Sequence, residues 1–212
     1  MNLILFGPPM TGKGTQAEFI SEYLHINHLS TGNMFRGLAE ENDKEGLMAK
    51  GYWGKGDLVP DSLTIKLLKK EINKEKYKKG FVLDGFPRTL NQAKELKKIA
   101  RIDKVINIVS GDDTIIKRTV LRRLCSNCQK IYGTNLQPKK QGICDKCGGK
   151  LIQRQDDTEE IIKNRLKIYR EQTEPVINFY KKEGLLSNIN GEQLPEKVFK
   201  DIKKAINDGK NN

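Results

Sequence analysis

Gly7-Pro8-Pro9-Met10-Thr11-Gly12-Lys13-Gly14-Thr15 follows the apolar run Leu3-Ile4-Leu5-Phe6 and opens a segment where Phe19, Ile20, Tyr23 and Leu24 recur at helical spacing. A strand, a glycine turn and a helix in that order make a cradle for a triphosphate. Glycines let backbone N–H groups point inward, the helix N-terminus adds positive potential, and Lys13 can reach terminal phosphates. The usual Ser or Thr directly after the lysine is displaced, because Gly14 intervenes before Thr15. Downstream of Gly80, the run Phe81-Val82-Leu83-Asp84 ends in an acid. Paired with the loop, an Asp at a strand's C-terminal end is expected to organise Mg²⁺ on the phosphates through its waters.

Two further runs, Lys104 to Val109 and Leu185 to Ile189, are also apolar, and lysine-rich segments with helical spacing follow the runs. Unbroken apolar runs suit strands buried on both faces, and strand-helix alternation implies a parallel sheet covered by helices. The core is therefore α/β, of the P-loop NTPase kind. Two segments break the alternation, from about residue 30 to 60 and from about 122 to 157, and both read as insertions on the ligand-binding edge. The tail from Asn207 to Asn212 is expected to fray.

With 212 residues, 36% of them apolar, the chain has room for one compact domain with small insertions, which excludes disorder and fibrous repeats. The formal charge of +12 favours polyanionic partners without saying which. No stretch reaches the roughly 18 apolar residues of a membrane helix, so no membrane partner is expected. Met1 to Phe6 is too short for a signal-peptide core, and the expected compartment is the cytoplasm. Four cysteines form two Cys-x2-Cys pairs, Cys125/Cys128 and Cys144/Cys147, with fifteen residues between the pairs. That spacing predicts a four-thiolate Zn²⁺ site that leaves no coordination position open, hence a structural ion. Gly148-Gly149 supplies the backbone freedom that a tight thiolate turn needs.

Arginine is used selectively in a chain whose basic residues are mostly lysine: Arg36, Arg88, Arg118, Arg122, Arg154 and Arg165 stand beside the motifs. Planar bidentate donors suit phosphoryl oxygens. Arg118 and Arg122 are expected four apart on one face of a helix beginning near Asp113. For Arg165, phosphate contact and simple snorkelling stay open. His25 and His28 fall in a helix-to-strand connection and read as packed or solvated.

Several stretches together match one family: the loop from Gly7 to Thr15, Ser30 to Arg36, Gly56-Asp57-Leu58-Val59-Pro60-Asp61, Asp84-Gly85-Phe86-Pro87-Arg88-Thr89, Arg122 before the cysteines, and Arg154 to Asp157. The chain resembles the adenylate kinases, in their long form with a zinc-bearing lid, from Met1 to about Gly191. The resemblance implies a nucleoside monophosphate kinase core over residues 1–29, 60–121 and 158–212. An AMP-binding insertion would span residues 30–59 and a lid residues 122–157.

The implied reaction moves a phosphoryl group reversibly between Mg·ATP and AMP, giving two ADP. By resemblance, Met10, Thr11, Gly12, Lys13, Gly14 and Thr15 would hold the ATP phosphates, Arg118 and Arg122 would face ATP from the lid hinge, and Ile131, Tyr132 and Gln193 would line its base. Thr31, Arg36, Arg88 and Gln92 would hold AMP, with backbone from Asp57, Leu58 and Val59 and from Gly85, Phe86 and Pro87. Arg154 and Arg165 would close on the transferring phosphates, leaving Lys13, Asp84, Arg88, Arg122, Arg154 and Arg165 as the catalytic set. A monomer is expected.

Three departures from the family pattern carry expectations of their own. Met10 replaces a usual glycine and should crowd the loop, Asn33 replaces an aspartate near the magnesium waters, and Gly133 replaces a larger residue beside the ATP base. A UMP, CMP or GMP acceptor on the same fold is the nearest alternative. A zinc-ribbon NTPase binding nucleic acid is disfavoured, because Tyr132 is the one aromatic candidate for base stacking in the cysteine segment.

Overall fold

The computed structural model describes residues 1–208. Five strands, β1 (Asn2–Phe6), β2 (Asn27–Ser30), β3 (Phe81–Asp84), β4 (Lys104–Val109) and β8 (Leu186–Asn190), pair in parallel in the order β2-β3-β1-β4-β8. Helices α1 (Lys13–Leu24) and α9 (Pro195–Asp208) pack on one side; α4 (Asp61–Ile72), α5 (Leu90–Ile99) and α8 (Glu174–Lys182) pack on the other. Side chains alternate across a strand, so Ile4 joins Leu83, Leu68 and Leu96 on one face. Leu3 and Leu5 join Ile20, Val82 and Ile202 on the other. Both faces are covered, which is why the runs read as unbroken apolar stretches.

Two of the four expected strands, β3 and β4, coincide with those runs; β1 begins one residue early, and β8 is shifted one residue along from its run. Strand β2 was not anticipated: Asn27-His28-Leu29-Ser30 is an edge strand with one fully buried side chain, Leu29, and it puts His28 in the sheet rather than in a connection. His25 does end α1, in a left-handed conformation. Beyond β2, α2 (Thr31–Glu40) and α3 (Lys44–Trp53) form a hairpin whose Phe35 and Ala49 cluster with Leu67 of α4. Ser30 caps α2 by accepting the Asn33 N–H at 3.3 Å.

Helix α6 (Asp112–Leu121) stops one residue short of Arg122, whose backbone is extended. The expectation that Arg118 and Arg122 share a helical face therefore fails. The cysteine segment forms a separate antiparallel sheet, β6 (Ile131–Tyr132), β5 (Arg123–Cys125), β7 (Leu151–Ile152) in spatial order. Helix α7 (Glu159–Ile168) follows, capped by Thr158, and a π turn at Tyr169–Thr173 leads into α8. Asn207 and Asp208 are helical rather than frayed; the rest of the expected tail, 209–212, lies outside the described residues. Among the described residues no helix is long and apolar enough to cross a membrane.

Candidate active site

Loops at the C-terminal ends of the parallel strands, with the α2–α3 hairpin and the cysteine sheet, enclose a cavity of about 570 Å³. Every nucleotide-site residue singled out from the sequence, from Met10 to Gln193, lines it. The loop after β1 turns through left-handed backbone at Gly12 (φ 91°) and at Met10 (φ 66°). A side chain in that region is strained by about 1–2 kcal/mol. Met10 packs against Ile115, Ile162 and Leu166, contacts that offset the strain. Lys13 Nζ donates to the Gly7 and Pro8 carbonyls at 2.8 and 2.6 Å. Burial pushes its ammonium down to about 8, with Asp84 opposing and the arginines Arg88, Arg122 and Arg165 adding to the fall.

Seven basic side chains converge here: Lys13, Arg36, Arg88, Arg118, Arg122, Arg154 and Arg165. Arg122 forms a bidentate pair with the buried Asp157, Nε donating to Oδ2 at 2.7 Å. Arg165 is paired with Asp156 and reaches the Trp53 carbonyl at 3.3 Å, so it is held in the cavity by partners rather than snorkelling. Arg118 donates to the Gly191 carbonyl at 2.9 Å and the Met10 carbonyl at 3.3 Å, tying the ends of β8 and β1 together. Arg88 Nε donates to the Gly85 carbonyl at 2.8 Å.

Arg154 is the telling member. Its Nε is buried with no hydrogen-bond partner among the described residues, and burial together with Arg36 and Arg122 lowers its guanidinium to about 10. Desolvation, partly offset by Asp156 and Asp84, also depresses Arg36 and Arg88. Cations held this close in a partly dry pocket form a standing trap for polyanions.

On the other side of the field, burial alone would raise the Asp84 carboxyl, but His28, Lys13 and Arg88 hold it below its ordinary value. His28 Nε2 lies 3.5 Å from Asp84. Thr31 Oγ1 donates to the Gly85 carbonyl at 3.0 Å, fixing the start of α2 against the end of β3. Gly56 (φ 83°) lets the α2–α3 hairpin meet α7 closely: a Cβ there would lie 3.1 Å from the Ile161 carbonyl and from Arg165 Cγ. Asn164 donates across that contact to the Lys55 carbonyl (2.9 Å) and to Asp57 (3.1 Å).

Other expected site residues have partners of their own in the protein. Tyr132 is 1% exposed, its hydroxyl donating to Cys144 Sγ at 3.5 Å and accepting the Asp145 N–H at 2.8 Å, with Lys130 over its ring. That ring packs in the interior of the cysteine sheet, and Tyr132 also lines the cavity. Gln193 spends its amide nitrogen on the Asn190 carbonyl and on Asp201. Asn33 accepts from Arg36 at 2.7 Å, and a Cβ at Gly133 would meet nothing nearer than 3.9 Å, so a larger residue there has room. The sequence reading gave no site role to His28, Asp61, Asp156 or Asp157. An acid near a helix start is normally a capping or dipole residue, and only the fold reveals what it pairs with.

The four cysteine sulfurs lie within 4.8 Å of one another, with Cys125–Cys147 and Cys128–Cys144 at 3.4 and 3.6 Å. Sulfurs around a tetrahedral ion at about 2.3 Å stand about 3.8 Å apart, so the donor set fits such an ion. Gly149 belongs to this fit, since a Cβ there would lie 2.9 Å from Cys125 Sγ.

Comparison with known proteins agrees with this geometry. The family described as adenylate kinase matches residues 5–185. The chain is 48% identical over 212 residues to an adenylate kinase of Geobacillus sp. strain WCH70, covering 97% of this chain and 98% of that one. It is 47% identical to an adenylate kinase of Methanocella arvoryzae at the same coverage. An adenylate kinase of Bacillus subtilis strain 168 is 46% identical, again over 97% and 98% of the two chains. A phosphate loop, a converging set of arginines and a cysteine sheet at the cavity's edge thus come with kinship over nearly the whole sequence, and the chain belongs to the adenylate kinase family.

Proposed function

We propose that the cavity holds Mg·ATP and AMP end to end and moves the terminal phosphoryl group between them, giving two ADP. The observation that carries this reading is the convergence of seven basic side chains on one pocket, among them Arg154, whose buried Nε has no partner among the described residues. The AMP phosphate is ionised at neutral pH, so no base is needed, and catalysis reduces to positioning and charge neutralisation. Lys13 and the amides from Met10 to Thr15 take the ATP phosphates, Asp84 orders the waters of the magnesium that arrives with ATP, and Arg88, Arg122, Arg154 and Arg165 neutralise the transferring group. Thr31, Arg36, Gln92, backbone from Asp57 to Val59 and backbone from Gly85 to Pro87 take AMP. Arg118 reaches ATP while bracing the loop, and Ile131 and Gln193 flank the base.

The same reading divides the chain into a core (1–29, 60–121, 158–212), an AMP-side flap (30–59) and a lid (122–157), whose closure excludes water that would otherwise hydrolyse ATP. Cys125, Cys128, Cys144 and Cys147 hold a structural zinc; four thiolates saturate it, and the ion supplies rigidity rather than chemistry. A reducing compartment such as the cytoplasm suits these four free thiols. A coupled assay tests the reading: ATP consumption should require AMP and give ADP as sole product, and release of inorganic phosphate alone overturns it.

A further inference from the structure

Gln92 is 2% exposed, yet it lines the cavity, and both ends of its amide are already engaged. Oε1 accepts the Arg88 backbone N–H at 2.7 Å, and Nε2 donates to Asp61 Oδ1 at 2.7 Å. A backbone N–H can only donate and a carboxylate can only accept, so the two neighbours fix which way round the amide lies. Turning it over sets N–H against N–H and C=O against carboxylate. Asp61 is itself held: its Oδ2 accepts from Thr89 Oγ1 at 2.7 Å and from Asn91 at 2.9 Å. Thr89 Oγ1 in turn accepts the Gln92 N–H at 3.1 Å. These contacts form one satisfied network joining the first turns of α4 and α5.

What remains for a ligand is one N–H and one lone pair, in a fixed order. A 6-aminopurine presents an acceptor (N1) beside a donor (N6–H), and a 6-oxopurine presents a donor (N1–H) beside an acceptor (O6). A free amide serves either edge by rotating through a half-turn. A locked one, facing a base whose phosphate is fixed by arginines, serves only one. We propose that Asp61, which need not touch the nucleotide, is a specificity-determining positioning residue: by holding Gln92 in one orientation it makes the acceptor site reject 6-oxopurine monophosphates in favour of AMP. This rests on the AMP reading given above.

The test compares kcat/KM for AMP and for IMP, which has an adenine-like outline and an inverted edge. Asp61→Asn keeps the shape; with its oxygen turned to the two donors Thr89 and Asn91, its N–H faces Gln92, so the lock on the amide is lost. The AMP-to-IMP preference should fall about tenfold, through gain of IMP as well as loss of AMP. Asn91→Ala, which removes a different donor from the same carboxylate, should leave the preference unmoved, with melting temperatures recorded for both variants. A preference in Asp61→Asn within about twofold of wild type overturns the inference, since one lost lock should exceed that. Should Asp61→Asn not fold, the wild type still decides: the Gln92 side-chain NH₂ must show slowed hydrogen exchange by NMR, and fast exchange overturns the lock. A wild type that phosphorylates no AMP overturns the acceptor reading and this inference with it. Normal AMP turnover with an unmoved preference overturns this inference alone.

Discussion

The molecule contains two sheets held together by different means. The parallel sheet buries Leu3, Ile4, Leu5, Val82, Leu83, Val105 and Ile106 under helices on both faces. Each such side chain contributes about 1.5–3 kcal/mol. The cysteine sheet has strands of three, two and two residues, and its interior is Tyr132 and Leu151 among thiols. Burial on that scale cannot repay the ordering of the backbone around it. A sheet too small to fold by burial needs another fastening, and its four clustered sulfurs fit a tetrahedral ion.

Removing the metal separates the two most sharply. With a chelator, amides from 123 to 152 should lose their protection from hydrogen exchange, as about 10 kcal/mol of coordination disappears, while those of β1, β3 and β4 keep theirs. Equal loss in both sheets, or none in either, breaks the comparison. Next in size is Leu83→Ala in the fully covered layer, which should lower the unfolding free energy by about 3 kcal/mol in a denaturant titration. The variant should still bind one zinc per chain; loss of zinc binding in the folded variant would mean that the regions are not independent.

The smallest effect sits where they meet. Burial holds the Lys13 ammonium down at about 8, and a bound triphosphate should raise it toward the ordinary range. Its bound value is then higher than its free value, so ATP affinity is greatest below pH 8 and falls as pH rises through it, by up to about tenfold per unit. Calorimetry just above that pH, in two buffers of different ionisation enthalpy, should register proton uptake on ATP binding; none detected removes the assignment.

Much of this was legible in the sequence because it depends on local pattern. Unbroken apolar runs announce a doubly covered strand, glycines flanking Lys13 announce the loop, and the two Cys-x2-Cys pairs announce a metal. Strand β2 escaped because an edge strand whose side chains His28 and Ser30 open onto the cavity carries no apolar signature. The Arg118–Arg122 pairing failed because i, i+4 spacing says nothing about where a helix stops, and α6 stops one residue too early. The orienting acids Asp61, Asp156 and Asp157 received no role of their own, since their partners lie up to 35 residues away.

Arg122 and Asp157 stand at the two ends of the cysteine segment, 35 residues apart, and clasp each other. That clasp closes the intervening chain into a loop with its own neck, so whatever is threaded between the two ends enters and leaves the rest of the molecule at one point. Such an inset can be shortened, restyled or stripped of its cysteines in evolution without disturbing the foundation beneath, provided the neck survives.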